Sequence, residues 1–426
     1  MMKLSYIYAS LLTLNLVGFP LIAGVTTYFN VNSTNYSILM RAIILGMSIL
    51  LVMLTQVSNR IKFVHGIFWM PLLFFWFAYV LRIYFDTILE PITLSKEVII
   101  YWIWAVGACI VPMLGLLTYP KDNYFNSAYK LSFLLLVLSS ILVSFLGSGI
   151  YTPEHGAAYE SGRLRIESLN PISVGHLGLS LLLLSIWPFF RGDKQSPVHI
   201  QVIYIISSLL GIYLLVASAS RGPIVAFVLV LFFYFISEDL KRNWKVLAVT
   251  AILILSIVQL GNYLEDTGSY QFLSRIENVL NSKDIAVSGR ELSYEGAVDQ
   301  FIRNPIFGDA LEEKKTRTYP HNVILESFMA TGVIGGIPFI FLILYGVFIS
   351  YKLIKLKTEH GWIPMIFIQY LLAAQFSGGI YTVSTMWTFF AILIVLYSTK
   401  KDEIIKSKRS IYQLIQSNVQ NIKLNK

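Results

Sequence analysis

Apolar runs of about 20 residues recur along most of the chain, the length that carries a helix across a bilayer. This constrains the fold more than any other feature. Only 13% of the residues are charged and 56% are hydrophobic, whereas a soluble domain carries about 25% charged residues. The strict alternation of a membrane strand is absent, which argues against a barrel. The fold class expected is therefore all-α, a polytopic integral membrane protein. Twelve spans are predicted, at about 6–28, 37–57, 64–85, 97–118, 129–149, 171–190, 198–218, 222–238, 244–262, 322–350, 362–378 and 382–398. The first follows Met1-Met2-Lys3 like a signal peptide, but no small-residue cleavage site comes after it, so it is kept as a membrane helix. Residues 1–400 read as one transmembrane domain, and 401–426 as a basic cytoplasmic tail.

Lysine and arginine in the short loops set the expected orientation. Arg60, Lys62, Lys121, Lys130, Arg191, Lys194, Lys241, Arg242, Lys245, Lys352, Lys355 and Lys357 fall in one set of loops, followed by the tail. The alternate loops are nearly free of them. Both termini are thus expected in the cytoplasm. The 149–170 and 262–320 loops and the Ser218–Gly222 turn are then expected outside. The same asymmetry accounts for much of the net charge of +9, so nucleic acid is not an expected partner. The single cysteine, Cys109, excludes an internal disulfide and reads as core filler. No Walker-type phosphate loop and no H-E-x-x-H spacing occur, so neither ATP chemistry nor a required metal is expected.

Three polar segments interrupt this pattern on the outer side. Ser218-Ala-Ser-Arg-Gly-Pro223 is a tight turn in which Ser220 reads as a helix cap and Pro223 suits the first turn. Its free N–H groups and the planar fork of Arg221 suit a phosphate. Arg163 and Arg165, close to Glu167, precede the sixth span as a second candidate anion contact or a solvated loop. His176 lies one turn into that span and reads as a satisfied structural histidine. In the long outer loop, Ser288-Gly-Arg-Glu291 has capping-box spacing, and an amphipathic helix is predicted over 289–303 with Arg290 in its first turn. The helix dipole opposes a cation there unless an anion is close. His321 and Asn322 open the tenth span. An imidazole titrating near pH 6.5 suits a general base acting on a hydroxyl. Glu326, deeper in the same span, is costly there unless paired, and reads equally as an arginine's partner or as a catalytic group. Gly332, Gly335 and Gly336 read as close helix packing.

Three motifs, SASRG at 218–222, SGRELSYEGAVDQFIRNPIFG at 288–308 and HNVILESFMATGVIGG at 321–336, resemble the O-antigen polymerase (Wzy) and O-antigen ligase superfamily. The resemblance implies a GT-C-like membrane glycosyltransferase without metal or other cofactor. It implies a donor glycan on undecaprenyl diphosphate and a site on the periplasmic side of a bacterial inner membrane. It makes His321 the catalytic residue. Arg221 and Arg290, with Arg163 or Arg165, become the diphosphate-binding residues. Glu291, Glu326, Asn322 and Ser220 are possible supporting residues. A polymerase, joining one lipid-linked repeat unit to another, is the expected activity, with a chain-length regulator as a possible partner. A ligase transferring the glycan to lipid A–core in lipopolysaccharide biosynthesis is the alternative. A lipid-linked oligosaccharide flippase is the alternative of another class.

Overall fold

The computed structural model describes residues 4–31, 33–57, 61–120, 124–147, 162–191, 197–237, 244–267, 270 and 285–401. The basic tail lies outside them. Each predicted span coincides with a helix. These are α1 (Leu4–Tyr28), α2 (Ser33–Val57), α3 (Trp69–Leu89), α4 (Val98–Leu116), α5 (Phe125–Leu146), α6 (Pro171–Arg191), α7 (Val198–Ala217), α8 (Arg221–Ser237) and α9 (Trp244–Asp266). The outer-loop helix α10 (Ile285–Arg303) follows, then α11 (Val323–Lys355), α12 (Trp362–Phe376) and α13 (384–401). Among the described residues, eight helices are long and apolar enough to cross a membrane, and α8 and α12 are shorter apolar helices. The protein is an all-α polytopic membrane protein. Many large apolar side chains stay exposed along these helices, among them Met70, Phe77, Ile206, Phe232 and Leu344. In a soluble monomer such a surface would aggregate; here it is the lipid-facing belt. One short antiparallel pair, β1 (Ile61–Phe63) with β2 (Thr118–Pro120), joins two loops.

Regular helix breaks down in α3, α4 and α11. The middle of α4, Ile103–Ile110, has π-helical turns, as does the end of α3 at Phe85–Leu89. Helix α11 is broken at Gly332, with φ 59° and ψ −157°, a region essentially reserved for glycine. The break admits the backbone of the outer loop. Asp309 N–H donates to Met329 O at 2.8 Å, and Val333 N–H to Pro305 O at 2.8 Å. Gly332 thus serves a helix–loop contact rather than the helix–helix packing expected from sequence. Arg82 of α3 closes the junction. Its guanidinium donates to the carbonyls of Ala330, Phe307, Gly308 and Asp309 at 2.9–3.0 Å and to Asp86 at 3.2 Å. Asp86 in turn accepts the Leu311 N–H at 2.7 Å.

A β-carbon on Gly332 would lie 2.2 Å from Ile306 O. Gly332→Ala should therefore cost about 3 kcal/mol or more, combining the strained backbone region with overpacking. Heating the detergent-solubilised variant should show earlier aggregation than the parent. Equal thermal stability would refute the junction's role.

Helix α10 begins at Ile285, not 289. Nothing in Ile285-Ala-Val287 stops a helix, so it runs through Ser288 and Gly289, and Ser288 is not its cap. Arg290 consequently lies in the second turn, and the dipole argument for a nearby anion falls away. The buried face also differs from the apolar stripe read from sequence. Ser293, Ala297 and Gln300 are buried, whereas Val298 and Ile302 are exposed. The reason is polar docking. Gln300 accepts from Lys314 N–H at 2.7 Å, and the Glu313 carboxylate, packed on Gly296, accepts from the N–H groups of Lys315 and Thr316. Phe301 packs edge-on against Phe328 of α11 at 5.3 Å.

Candidate functional site

The α7–α8 turn forms the floor of the site. It reverses through Ala219, held in the left-handed region at φ 44°, where an alanine is strained. Helix α6 presses on it closely enough that a β-carbon on Gly175 would lie 2.6 Å from Pro223 and 2.7 Å from the Ser218 hydroxyl. The loop before α6 docks onto the same turn. Leu164 N–H donates to Ala217 O at 2.8 Å, and the Arg163 guanidinium donates to Ser220 Oγ at 2.7 Å and Ser218 O at 3.3 Å. Arg163 is only 5% exposed. The Ser220 hydroxyl accepts from Arg163 and donates to Ser218 O at 3.2 Å. It organises the arginine rather than capping α8 as expected.

Arg163, Arg221 and Arg290 line one small pocket together with Ser220, His176 and Ser377. They come from the loop before α6, the first residue of α8 and the second turn of α10. Arg165 does not line it, and Glu291 is exposed on α10. His176, which reads from sequence as a satisfied structural histidine, lines this space. Its Nδ1 is buried without a hydrogen-bond partner among the described residues.

His321 stands beside the pocket, between Pro320 and the start of α11. Its backbone is in the left-handed region at φ 55°, a costly conformation for a non-glycine residue. Asn322 caps α11, accepting from the N–H groups of Ile324 and Leu325 at 3.0 Å. Its amide also donates to Gln375 O at 3.4 Å, at the end of α12. The His321 ring stacks edge-on with Tyr319 at 4.7 Å, and its Nδ1 is buried with no partner among the described residues. Glu326 is fully buried one turn below. Its partner is not an arginine: it accepts from Tyr79 OH at 2.6 Å and Ile380 N–H at 2.9 Å. That pairing ties α3 and the 377–383 turn to α11 directly beneath His321.

Burial lowers the His321 pKa below its ordinary value, and the nearby Arg290 charge lowers it further. The unfolded chain then takes up the proton more readily. This group's stabilising contribution is fully present above the ordinary imidazole value of about 6.5 and is lost as pH falls from there through the lowered folded value. Carbethoxylation of His321, followed by mass spectrometry against pH, should titrate below about 6.5. Arg290→Gln should move that midpoint upward. An unchanged midpoint would separate the two residues.

Residues 206–340 match the family model described as O-antigen ligase. The match supports the O-antigen polymerase/ligase superfamily for the chain. The family segment runs from α7 into α11 and contains Arg221, Arg290 and His321, together with the Gly332 break. Arg163 lies outside it and reaches the pocket through the docked loop. No curated protein and no solved structure matches the chain.

Proposed function

We propose that the protein transfers a glycan from undecaprenyl diphosphate to an acceptor hydroxyl on the outer face of a bacterial cytoplasmic membrane. The convergence of Arg163, Arg221 and Arg290 on one pocket beside His321 carries this reading. Three guanidinium groups suit a diphosphate by charge and by bidentate geometry. Neutral His321 is ready to accept a proton. In the reaction, the acceptor hydroxyl gives its proton to His321 as its oxygen forms a bond to the anomeric carbon. The bond from that carbon to the diphosphate breaks, and the electron pair leaves with the phosphate. The arginines stabilise the developing charge in a site shielded from water, where such preorganised donors act most strongly.

The favoured activity is polymerase, with a second lipid-linked repeat unit as acceptor. The family description favours the ligase as the second reading. The lysine and arginine asymmetry of the loops supports an outward-facing site with cytoplasmic termini. The test is transfer by purified protein in detergent with EDTA, with and without lipid A–core. A ladder of lengthening lipid-linked glycans without lipid A–core supports the polymerase. Product only with lipid A–core supports the ligase. No product in either case, from folded protein and the correct repeat unit, would refute the transferase.

A further inference from the structure

A second cavity of about 390 Å³, part polar and part apolar, adjoins the arginine pocket. Its size falls in the roughly 300–1,000 Å³ range of small-ligand sites. It lies between α1, α2, α4, α6, α12 and α13, and shares Ile172, His176 and Ser377 with the arginine pocket. Arg41 of α2 lines it. The guanidinium lies over the Trp104 ring at 4.8 Å and Phe19 at 5.9 Å, and donates to Ser37 Oγ at 2.8 Å. Among the described residues no carboxylate pairs with Arg41. A partly buried cation inside a membrane bundle is costly without an anion, and such residues mark binding sites. Trp104 belongs to the π-helical stretch of α4, an irregularity common at functional sites. Asn15, Asn170 and Thr385 add polar groups to the wall, suited to sugar hydroxyls.

Transfer between two lipid-linked glycans requires two phosphorylated ends to be held at once. We propose that the Arg41 cavity is the acceptor subsite, binding the phosphate end of a second amphiphilic glycolipid while the three-arginine pocket holds the donor. This rests on the transferase reading. Arg41 takes no part in bond exchange. It anchors the acceptor's diphosphate, and Trp104 stiffens the arginine while offering an aromatic face to the first sugar.

The test counts bound ligand directly. Full-length protein carrying His321→Ala, in phosphatidylcholine nanodiscs, is titrated with undecaprenyl diphosphate. Two molecules per protein are expected. Adding Arg41→Gln should leave one, and Arg41→Lys should keep two with the second bound about 10-fold more weakly. Ala108→Phe, which fills the cavity without changing Arg41, should also leave one, and guards against misfolding of the Arg41 variant. Two molecules still bound in both Arg41→Gln and Ala108→Phe would overturn the proposal. So would displacement of the second molecule by phosphatidylglycerol at equal concentration, which would mark a site for ordinary lipid. A single molecule in the parent, lost with Arg221→Ala but kept with Arg41→Gln, would overturn the acceptor subsite and leave the donor reading standing. No binding at all would remove both.

Discussion

Replacing His321 with alanine is expected to lower the transfer rate by roughly 100- to 10,000-fold, the contribution of a positioned general base. Binding of undecaprenyl diphosphate should persist, because the pocket that would hold it is lined by the three arginines and not by His321. The protein should also stay folded. Asn322 caps α11 and Glu326 ties it to α3 and the 377–383 turn without help from the imidazole. The comparison to make is single-turnover transfer and donor affinity on the same preparation. Loss of rate with retained affinity identifies a catalytic residue. Unchanged polymer formation would remove His321 from the chemistry and favour a lipid-linked oligosaccharide flippase, which has no need of a base at this position.

The arginines should divide into two kinds. Arg221→Ala and Arg290→Ala are expected to lower transfer by roughly 100- to 1,000-fold each, as for loss of one preorganised donor to a developing charge. Lysine at either position should restore little, because a point charge replaces the planar fork. Arg163→Ala should cost stability as well as rate. Arg163 holds Ser218 O and Ser220 Oγ, and its loss leaves the strained turn at Ala219 without two of its hydrogen bonds. Hydrogen bonds from a charged donor contribute about 1.5–3 kcal/mol each. A melting temperature that drops for Arg163→Ala and holds for Arg290→Ala would show the division. Full activity of the lysine variants would refute bidentate recognition.

The positions of the helices were legible because twelve apolar runs separated by polar loops leave little freedom in a bilayer. The three arginines and the histidine were legible too, since each lies in one of the polar segments that interrupt the apolar spans. What sequence could not reach were partners far apart in the chain. Glu326, read as an arginine's partner, instead meets Tyr79, 247 residues away, and a backbone N–H. Arg82 sits inside an apolar run with no local sign that it gathers four carbonyls from two distant segments. Arg41 likewise reads as a flank of its span, and only packing against the π-helical part of α4 turns it toward a cavity. The buried face of α10 departs from its apolar stripe because its docking is polar, through Gln300 and Glu313.

The most direct measurement is a cryo-electron microscopy structure of the His321→Ala protein with undecaprenyl diphosphate bound. Phosphate density is expected in hydrogen-bond contact with Arg163, Arg221 and Arg290, its lipid chain leaving toward the bilayer and its leaving oxygen facing residue 321. Diphosphate density away from these arginines, with their pocket still closed, would contradict it.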